Sequence, residues 1–281
     1  ACAIFPLSIN KKVDHVTSLR LVQARIANNV KIDSEVGAGL AFNQVKKRFY
    51  NLSTKSSDKP IDLIIWPETA YPRLLSPEAI NQNPIITPSV ISSIIDKMNA
   101  EMFIGGYELK ANSAESDFFE SQYNAAFHFG TNHKVKDTYH KIKLIPFGES
   151  LPFGPFNKYL TQINSNLSFF SAGTRSPIFT TKSGSTFSAV ICYEVLFSSF
   201  MRKWLNSNKT QPEFIINITN DSWYGDTAEP YQHLFLAKWR ALEFNIPIVR
   251  MTNTGITSII YPDGSESKRL NVGEKDILDI E

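Results

Sequence analysis

The chain holds 281 residues, 42% of them hydrophobic, enough to bury a substantial core in one large globular unit. Lys and Arg number 29 against 27 Asp and Glu, a formal charge of +2 with no basic run long enough to act as a nucleic-acid arm. Apolar runs such as Leu63-Ile64-Ile65-Trp66 fall far short of the roughly 18 residues of a membrane helix, so the sequence reads as water-soluble with no nucleic-acid partner.

Short β-like runs alternate with helical stretches, the pattern of an α/β layered fold. One domain covering residues 1–281 is expected, its first residues, about 18 of them, a flexible or membrane-proximal lead-in. In chain order, a strand spans Arg20 to Ile26 and a helix Val36 to Tyr50. The Ser/Lys/Asp-rich stretch Asn51 to Pro60 is a surface connection, and the buried strand Ile61 to Trp66 leads directly into Pro67-Glu68. Strands follow at Met102 to Gly105 and Tyr123 to Phe129. Pro146, Pro152, Pro155, Gly148 and Gly154 make Lys143 to Asn157 an irregular loop, a natural place for function. The apolar strand Phe187 to Cys192 runs into Tyr193-Glu194-Val195-Leu196-Phe197, which has the composition of a helix start. After a strand at Phe214 to Thr219, Pro230 opens a helix to Asn245 whose Tyr231, Phe235, Trp239 and Leu242 recur on one face, with Pro247 beyond its end. Strands at Ile248 to Thr252 and Thr257 to Tyr261 complete the pattern.

Three places can carry chemistry. A cysteine at a strand-to-helix turn is raised above the sheet, where backbone N–H groups favour a thiolate and can hold an oxyanion; Cys192 meets that description, and Cys2 lies in the terminus. Glu68 sits at the carboxyl end of an apolar strand, a place suited to a general base. The third is Tyr139-His140-Lys141-Ile142-Lys143, whose spacing alone does not choose between its two lysines. Each of these also fits a packing or surface role when taken singly.

Taken in this order, the three resemble the Glu-Lys-Cys set of the nitrilase superfamily, and more closely the catalytic domain of the apolipoprotein N-acyltransferase family. The matching stretches are Trp66-Pro67-Glu68-Thr69-Ala70, Tyr139-His140-Lys141 through Pro146-Phe147-Gly148-Glu149, Ile191-Cys192-Tyr193-Glu194 and Asn220-Asp221-Ser222-Trp223-Tyr224-Gly225. Gln232-His233, Arg240-Ala241-Leu242-Glu243, and Arg250 with Asn253-Thr254-Gly255-Ile256-Thr257 continue it, so that it runs from about Leu21 to Gly264. The first strand and loop depart from the family, with Val22-Gln23-Ala24-Arg25-Ile26-Ala27-Asn28 in place of its Val-Gln-Gly-Asn-Ile-Pro-Gln and Lys31-Ile32-Asp33 in place of its Lys-Trp-Asp.

The resemblance implies a nitrilase-like αββα sandwich forming a single catalytic domain. It selects Lys141, eight residues before Glu149, as the catalytic lysine. It also implies that Cys192 is the nucleophile, Glu68 the base and Lys141 an oxyanion partner together with the Tyr193 N–H. Glu149, Tyr193 and Glu194 would support them, and Trp223, Tyr224 and Phe147 would line the acyl pocket. The implied reaction moves a fatty acyl group from a phospholipid, through a Cys192 thioester, to the N-terminal amine of a diacylglyceryl-cysteine lipoprotein. It needs no metal and no cofactor, and takes place at the periplasmic face of the bacterial inner membrane. Such substrates require an apolar mouth, for which Phe147, Leu151, Phe153, Phe156, Leu167, Phe169 and Phe170 are the candidates. Two other readings fit the same residues: a free-standing nitrilase-type amidase in which water attacks the thioester, and a silent domain that only binds lipid or lipoprotein. A nucleotide site has no Gly-rich phosphate loop to rest on.

Overall fold

The computed structural model describes residues 16–110, 121–146, 149, 170–207, 210–224 and 227–281, with Ser121, Trp223 and Tyr224 described by their backbone. Of the anticipated lead-in, only residues 16–18 fall within this set.

Strands β1 (Leu19–Gln23), β2 (Leu63–Ile65), β3 (Leu74–Leu75), β4 (Glu101–Lys110), β5 (Ser121–Phe129) and β6 (Val135–His140) build the first sheet. Strands β7 (Phe179–Thr180), β8 (Thr186–Ile191), β9 (Phe214–Thr219), β10 (Ile248–Thr252) and β11 (Ser258–Ile260) build the second. The last strand, β12 (Asp276–Ile280), returns to the first sheet beside β1. The strand orders are β12-β1-β2-β4-β5-β6, with β3 also on β4, and β11-β10-β9-β8-β7. Strands β1, β2 and β4 are parallel, as are β8, β9 and β10. Two successive antiparallel pairings, β4 with β5 and β5 with β6, restore to β6 the direction of β2.

Side chains alternate along each strand, and that period of two divides the core into three layers. Leu19, Leu21, Leu63 and Ile65 face the second sheet and pack with Phe187, Ile191, Ile216, Ile218 and Met251. Between them Phe103 meets Phe179 and Phe187 edge-on at 5.3 Å, a preferred arrangement for aromatic pairs. Val22, Ile64, Met102 and Ile104 face outward onto Val45 and Phe49 of helix α2 (Gly39–Ser53) and Ile91, Ile94 and Ile95 of helix α4 (Ser89–Met98). On the far side of the second sheet, Val190, Ile215 and Ile248 pack on Met201, Trp204 and Leu205 of α5 (Ser198–Ser207) and Leu234, Ala237 and Ala241 of α6 (Glu229–Phe244). The layers are thus helix, sheet, sheet, helix, the expected αββα sandwich. Two short helices, α1 (Asn28–Glu35) and α3 (Pro77–Gln82), complete the helical set among the described residues.

Several elements differ from expectation. The helix anticipated from Val36 starts at Gly39, and a separate α1 precedes it. Helix α6 has Pro230 in its first turn and ends on Asn245 in the left-handed conformation, φ 53°, as an αL cap requires. Its aromatic face is not its buried face, however. Tyr231, Phe235, Trp239 and Leu242 are exposed, while His233, Leu234, Ala237 and Ala241 pack inward. No helix among the described residues is long and apolar enough to cross a membrane.

Candidate active site

Three cross-sheet links bring the carboxyl ends of both sheets to one edge. The Asn220 N–H after β9 donates to Glu68 Oε2 at 3.0 Å after β2. Asn253 after β10 exchanges two hydrogen bonds of 2.8 Å with the backbone of Ile26, beyond β1. Glu194, in the 3-10 turn Cys192–Leu196 after β8, accepts from the N–H groups of Ile142 and Lys143 beyond β6, at 2.7 and 2.8 Å.

Glu68 follows β2 in the turn Pro67–Thr69, a turn shaped by Gly105 of β4 beneath it. A Cβ on Gly105 would lie 2.3 Å from the Pro67 carbonyl oxygen and 2.7 Å from Glu68 Cα, so only glycine lets the strand pass. Lys141 is the first residue beyond β6 and is fully buried. Its Nζ donates to Glu149 Oε1 at 2.7 Å and to Glu68 Oε1 at 3.4 Å. Burial alone would lower the Lys141 pKa, but the neighbouring carboxylates of Glu68 and Glu149 outweigh it and hold the ammonium above the ordinary lysine range. Lys143 is exposed and takes no part in this cluster. Asn124 of β5 donates to both Glu68 Oε1, at 2.8 Å, and Glu149 Oε1, at 3.3 Å, and so bridges the two carboxylates.

Cys192 is buried, its thiol free, with a φ of +54°. Its surroundings oppose the thiolate that backbone N–H groups at such a turn favour. Burial and the Glu68 charge push the thiol pKa well up, against the opposing charge of Lys141 and a hydrogen bond from Thr219. These surroundings favour the neutral thiol over the thiolate. Glu194 is fully buried and takes four hydrogen bonds: those from Ile142 and Lys143, one from Ile191 N–H at 2.7 Å, and one from the Tyr139 hydroxyl at 2.8 Å. It ties the cysteine turn to the lysine strand. Tyr193 stacks on His233, and its hydroxyl donates to Glu229 Oε1 at 2.7 Å.

Thus Glu68, Lys141, Glu149, Cys192, Tyr193 and Glu194 come to one edge of the sandwich. Phe147 lies outside the described residues, as does the rest of the anticipated apolar mouth except Phe170, whose ring stacks on Tyr107 at 5.8 Å. Trp223 and Tyr224 belong to the 3-10 turn Asp221–Tyr224, and their side chains are outside the described set. Sequence reasoning missed two residues. Asn124 left one signal, a single amide in the otherwise apolar Tyr-Asn-Ala-Ala-Phe of β5. Lys31, noted only as part of a motif, is buried beside the site and donates to Thr69 Oγ1, next to Glu68, while its neighbour Ile32 is exposed.

Asp221, Glu229 and His233 each present one potential ligand atom, all within 4.8 Å of one another. Arg250 already pairs with Asp221 from 2.8 Å, which satisfies that carboxylate without a metal ion.

This sandwich, with a carboxylate, a lysine and a cysteine at its joint sheet edge, has the architecture of a carbon–nitrogen hydrolase. The model of the carbon-nitrogen hydrolase family matches residues 19–281, and the chain belongs to that family. Its relatives include the apolipoprotein N-acyltransferase of Rickettsia typhi, 33% identical over 273 residues, 95% of this chain and 50% of that protein. The apolipoprotein N-acyltransferase of Bdellovibrio bacteriovorus is 33% identical over 262 residues, 90% of this chain and 46% of that one. The chain therefore spans about half the length of the curated relatives it matches. Among solved structures, a mutant of the amidase from Nesterenkonia sp. AN1, carrying acrylamide on its active-site cysteine, aligns with TM-score 0.62 over 95% of this chain and 93% of that one. At 15% identity, that likeness is one of fold.

Proposed function

We propose that this chain is the catalytic part of an N-acyltransferase that moves a fatty acyl group from a phospholipid to the N-terminal amine of a diacylated lipoprotein. The observation that carries the reading is the cluster in which the buried Lys141 is held by Glu149 and Glu68 beside Cys192, in a chain whose relatives are named apolipoprotein N-acyltransferases. Glu68 takes the proton of the Cys192 thiol, which burial otherwise keeps protonated, and the thiolate attacks the donor's ester carbonyl. The oxyanion is met by the Lys141 ammonium and the Tyr193 N–H, donors in place before the charge develops. Collapse breaks the ester C–O bond, Glu68 returns its proton to the departing lysophospholipid oxygen, and the acyl group stays on sulfur as a thioester. In the second half-reaction the acceptor amine attacks that thioester, Glu68 takes the amine proton, and the C–S bond breaks. The proton returns to sulfur and an amide is released. No step calls for a metal or cofactor. Its substrates place the reaction at a membrane, by resemblance the periplasmic face of the bacterial inner membrane.

The test offers the full chain a phospholipid, a diacylated lipopeptide and a set of small amides in parallel, followed by intact mass spectrometry. An acyl adduct on the protein, chased into amide on the lipopeptide, supports the transferase. Hydrolysis of small amides without phospholipid consumption would move the assignment to an amidase. No turnover of any substrate, with lipid bound, would leave a binding domain.

A further inference from the structure

Cys192 adopts a left-handed φ of +54°, a conformation that costs a β-carbon-bearing residue energy and persists only where its surroundings impose it. On the sheet side, Asn217 Nδ2 donates to the carbonyls of Val190 and Cys192 at 3.4 and 3.3 Å. Arg250 holds that amide in turn, donating to Asn217 Oδ1 at 3.1 Å and to Asp221 Oδ2 at 2.8 Å. Gly255 leaves room for this pair, since a Cβ there would lie 2.0 Å from Asp221 Oδ2.

The other side of the turn rests on the first two turns of α6. His233 is 1% exposed, and its ring lies flat on Tyr193, centroids 4.9 Å apart and planes 9° from parallel. Glu229, one turn earlier, holds the Tyr193 hydroxyl at 2.7 Å. The His233 ring nitrogens make no hydrogen bond of good geometry, although Nδ1 lies 3.4 Å from Asp221 Oδ1 and 3.6 Å from Glu229 Oε1 and the ring also bears on the Cys192 backbone. Burial, and then the Arg250 charge, press its pKa down against the pull of Asp221, a balance that favours the neutral ring. What this histidine supplies is a flat buried face, and that face bears on the residue whose peptide N–H follows the nucleophile.

We infer that His233 is a positioning residue: by stacking on Tyr193 it aligns the Tyr193 backbone N–H to receive the oxyanion formed at Cys192. The inference rests on the acyl-transfer reading above, and it separates two reactions of the same sulfur. Acylation passes through a tetrahedral oxyanion and needs the N–H. Displacement of iodide from iodoacetamide forms a C–S bond and releases iodide with no oxyanion, and does not need it.

The experiment measures both rates on the full chain, with 4-nitrophenyl octanoate as acyl donor and iodoacetamide as alkylating agent, and maps the label by mass spectrometry. His233→Ala should lower acylation by roughly 10- to 100-fold, the range for a misplaced oxyanion donor, chiefly in kcat, while alkylation at Cys192 changes less than about twofold. His233→Phe, which keeps a ring on Tyr193, should recover acylation to within about fivefold of wild type, because the stacked face is retained. Equal losses of both reactions in His233→Ala, or no loss of either, would overturn the role, and so would a His233→Phe protein that folds but acylates no faster than His233→Ala. Wild-type labelling at a site other than Cys192 would instead sink the nucleophile reading beneath it.

Discussion

Lys141 shows what a single residue does when its charge is buried. An ammonium withdrawn from water is tolerated only with anionic partners in contact, and here Glu149 at 2.7 Å and Glu68 at 3.4 Å supply them. The same contacts fix it as a donor beside the candidate nucleophile. Lys143, two residues later, is exposed. Lys141→Met and Glu68→Gln should therefore each slow acylation by at least ~10²-fold, the usual cost of losing an oxyanion donor or a general base. Lys143→Met should change it by less than about threefold, as solvated surface substitutions do. Single-turnover acylation of each purified variant is the measurement, with thermal unfolding run alongside because removing Lys141 leaves two carboxylates facing one another. Equal damage from the two lysine variants would remove the basis for choosing between them. Cys192→Ala should abolish the acyl adduct and Cys2→Ala should not, so an adduct surviving on the former would place the chemistry elsewhere.

At the scale of elements, the site depends on strands that pass very close to its turns. Gly105 lets β4 run beneath Pro67–Thr69, with backbone atoms of all three residues within 2.7 Å of where a Cβ would stand. Because those atoms are backbone, they cannot swing aside, and Gly105→Ala should displace Glu68 and destabilise the fold by about 1–3 kcal/mol, the range for overpacking. At Gly106 the nearest atom to an added Cβ is in the Phe127 ring at 3.3 Å, so Gly106→Ala should be milder. Thermal unfolding and acylation of both variants check this, and a Gly105→Ala protein with wild-type Tm and rate would disprove the tight fit. The same elements show what could be read from sequence. Strands β2, β8 and β9 are apolar runs buried on both faces, and they lie where the runs are. Strand β6 escaped because its Val-Lys-Asp-Thr-Tyr-His mixes exposed and buried positions, and β12 because an edge strand reads Asp-Ile-Leu-Asp-Ile. Helix α1 escaped because the residues it buries are Lys31 and Ser34, which no apolar periodicity marks. For the site, resemblance supplied residues that periodicity could not. The hydrogen bonds of Asn124 and the full burial of Glu194 depend on which strand ends meet, information that a one-dimensional pattern does not hold.

On the scale of the whole molecule, distant parts of the chain are closed by buried charge. Arg20 of β1 is fully buried and forks onto Asp279 of β12 at 2.8 and 2.7 Å while donating to the carbonyls of Ser53, the last residue of α2, and Lys55 beyond it, which locks the last strand to the first. Buried titratable groups also set how stability should follow pH. His128 lies in the inter-sheet aromatic layer against Phe103, Phe179 and Phe187, 3.0 Å from Glu101, which Lys136 also contacts at 3.0 Å. Asp137, on the same strand as Lys136, also faces the ring. Burial lowers the His128 pKa despite Glu101, and burial with Arg250 lowers that of His233. Burial opposes the shift at Glu101, but His128 and Lys136 carry its pKa below the ordinary value. For a histidine lowered on folding, the unfolded chain binds the extra proton, so its contribution is complete above about pH 6.5 and declines as pH falls from there toward the folded value. For the lowered Glu101 the contribution holds above roughly pH 4.3 and declines as pH falls through its folded value. Both signs destabilise the fold in acid, the histidines first. The Tm should therefore stay nearly flat from pH 8 to 7 and fall from about pH 6.5 downward, and a double variant His128→Gln, His233→Phe should fall less steeply between about pH 6.5 and 5. Calorimetric Tm profiles of both proteins test this, and parallel profiles would show that neither buried histidine governs the acid limb.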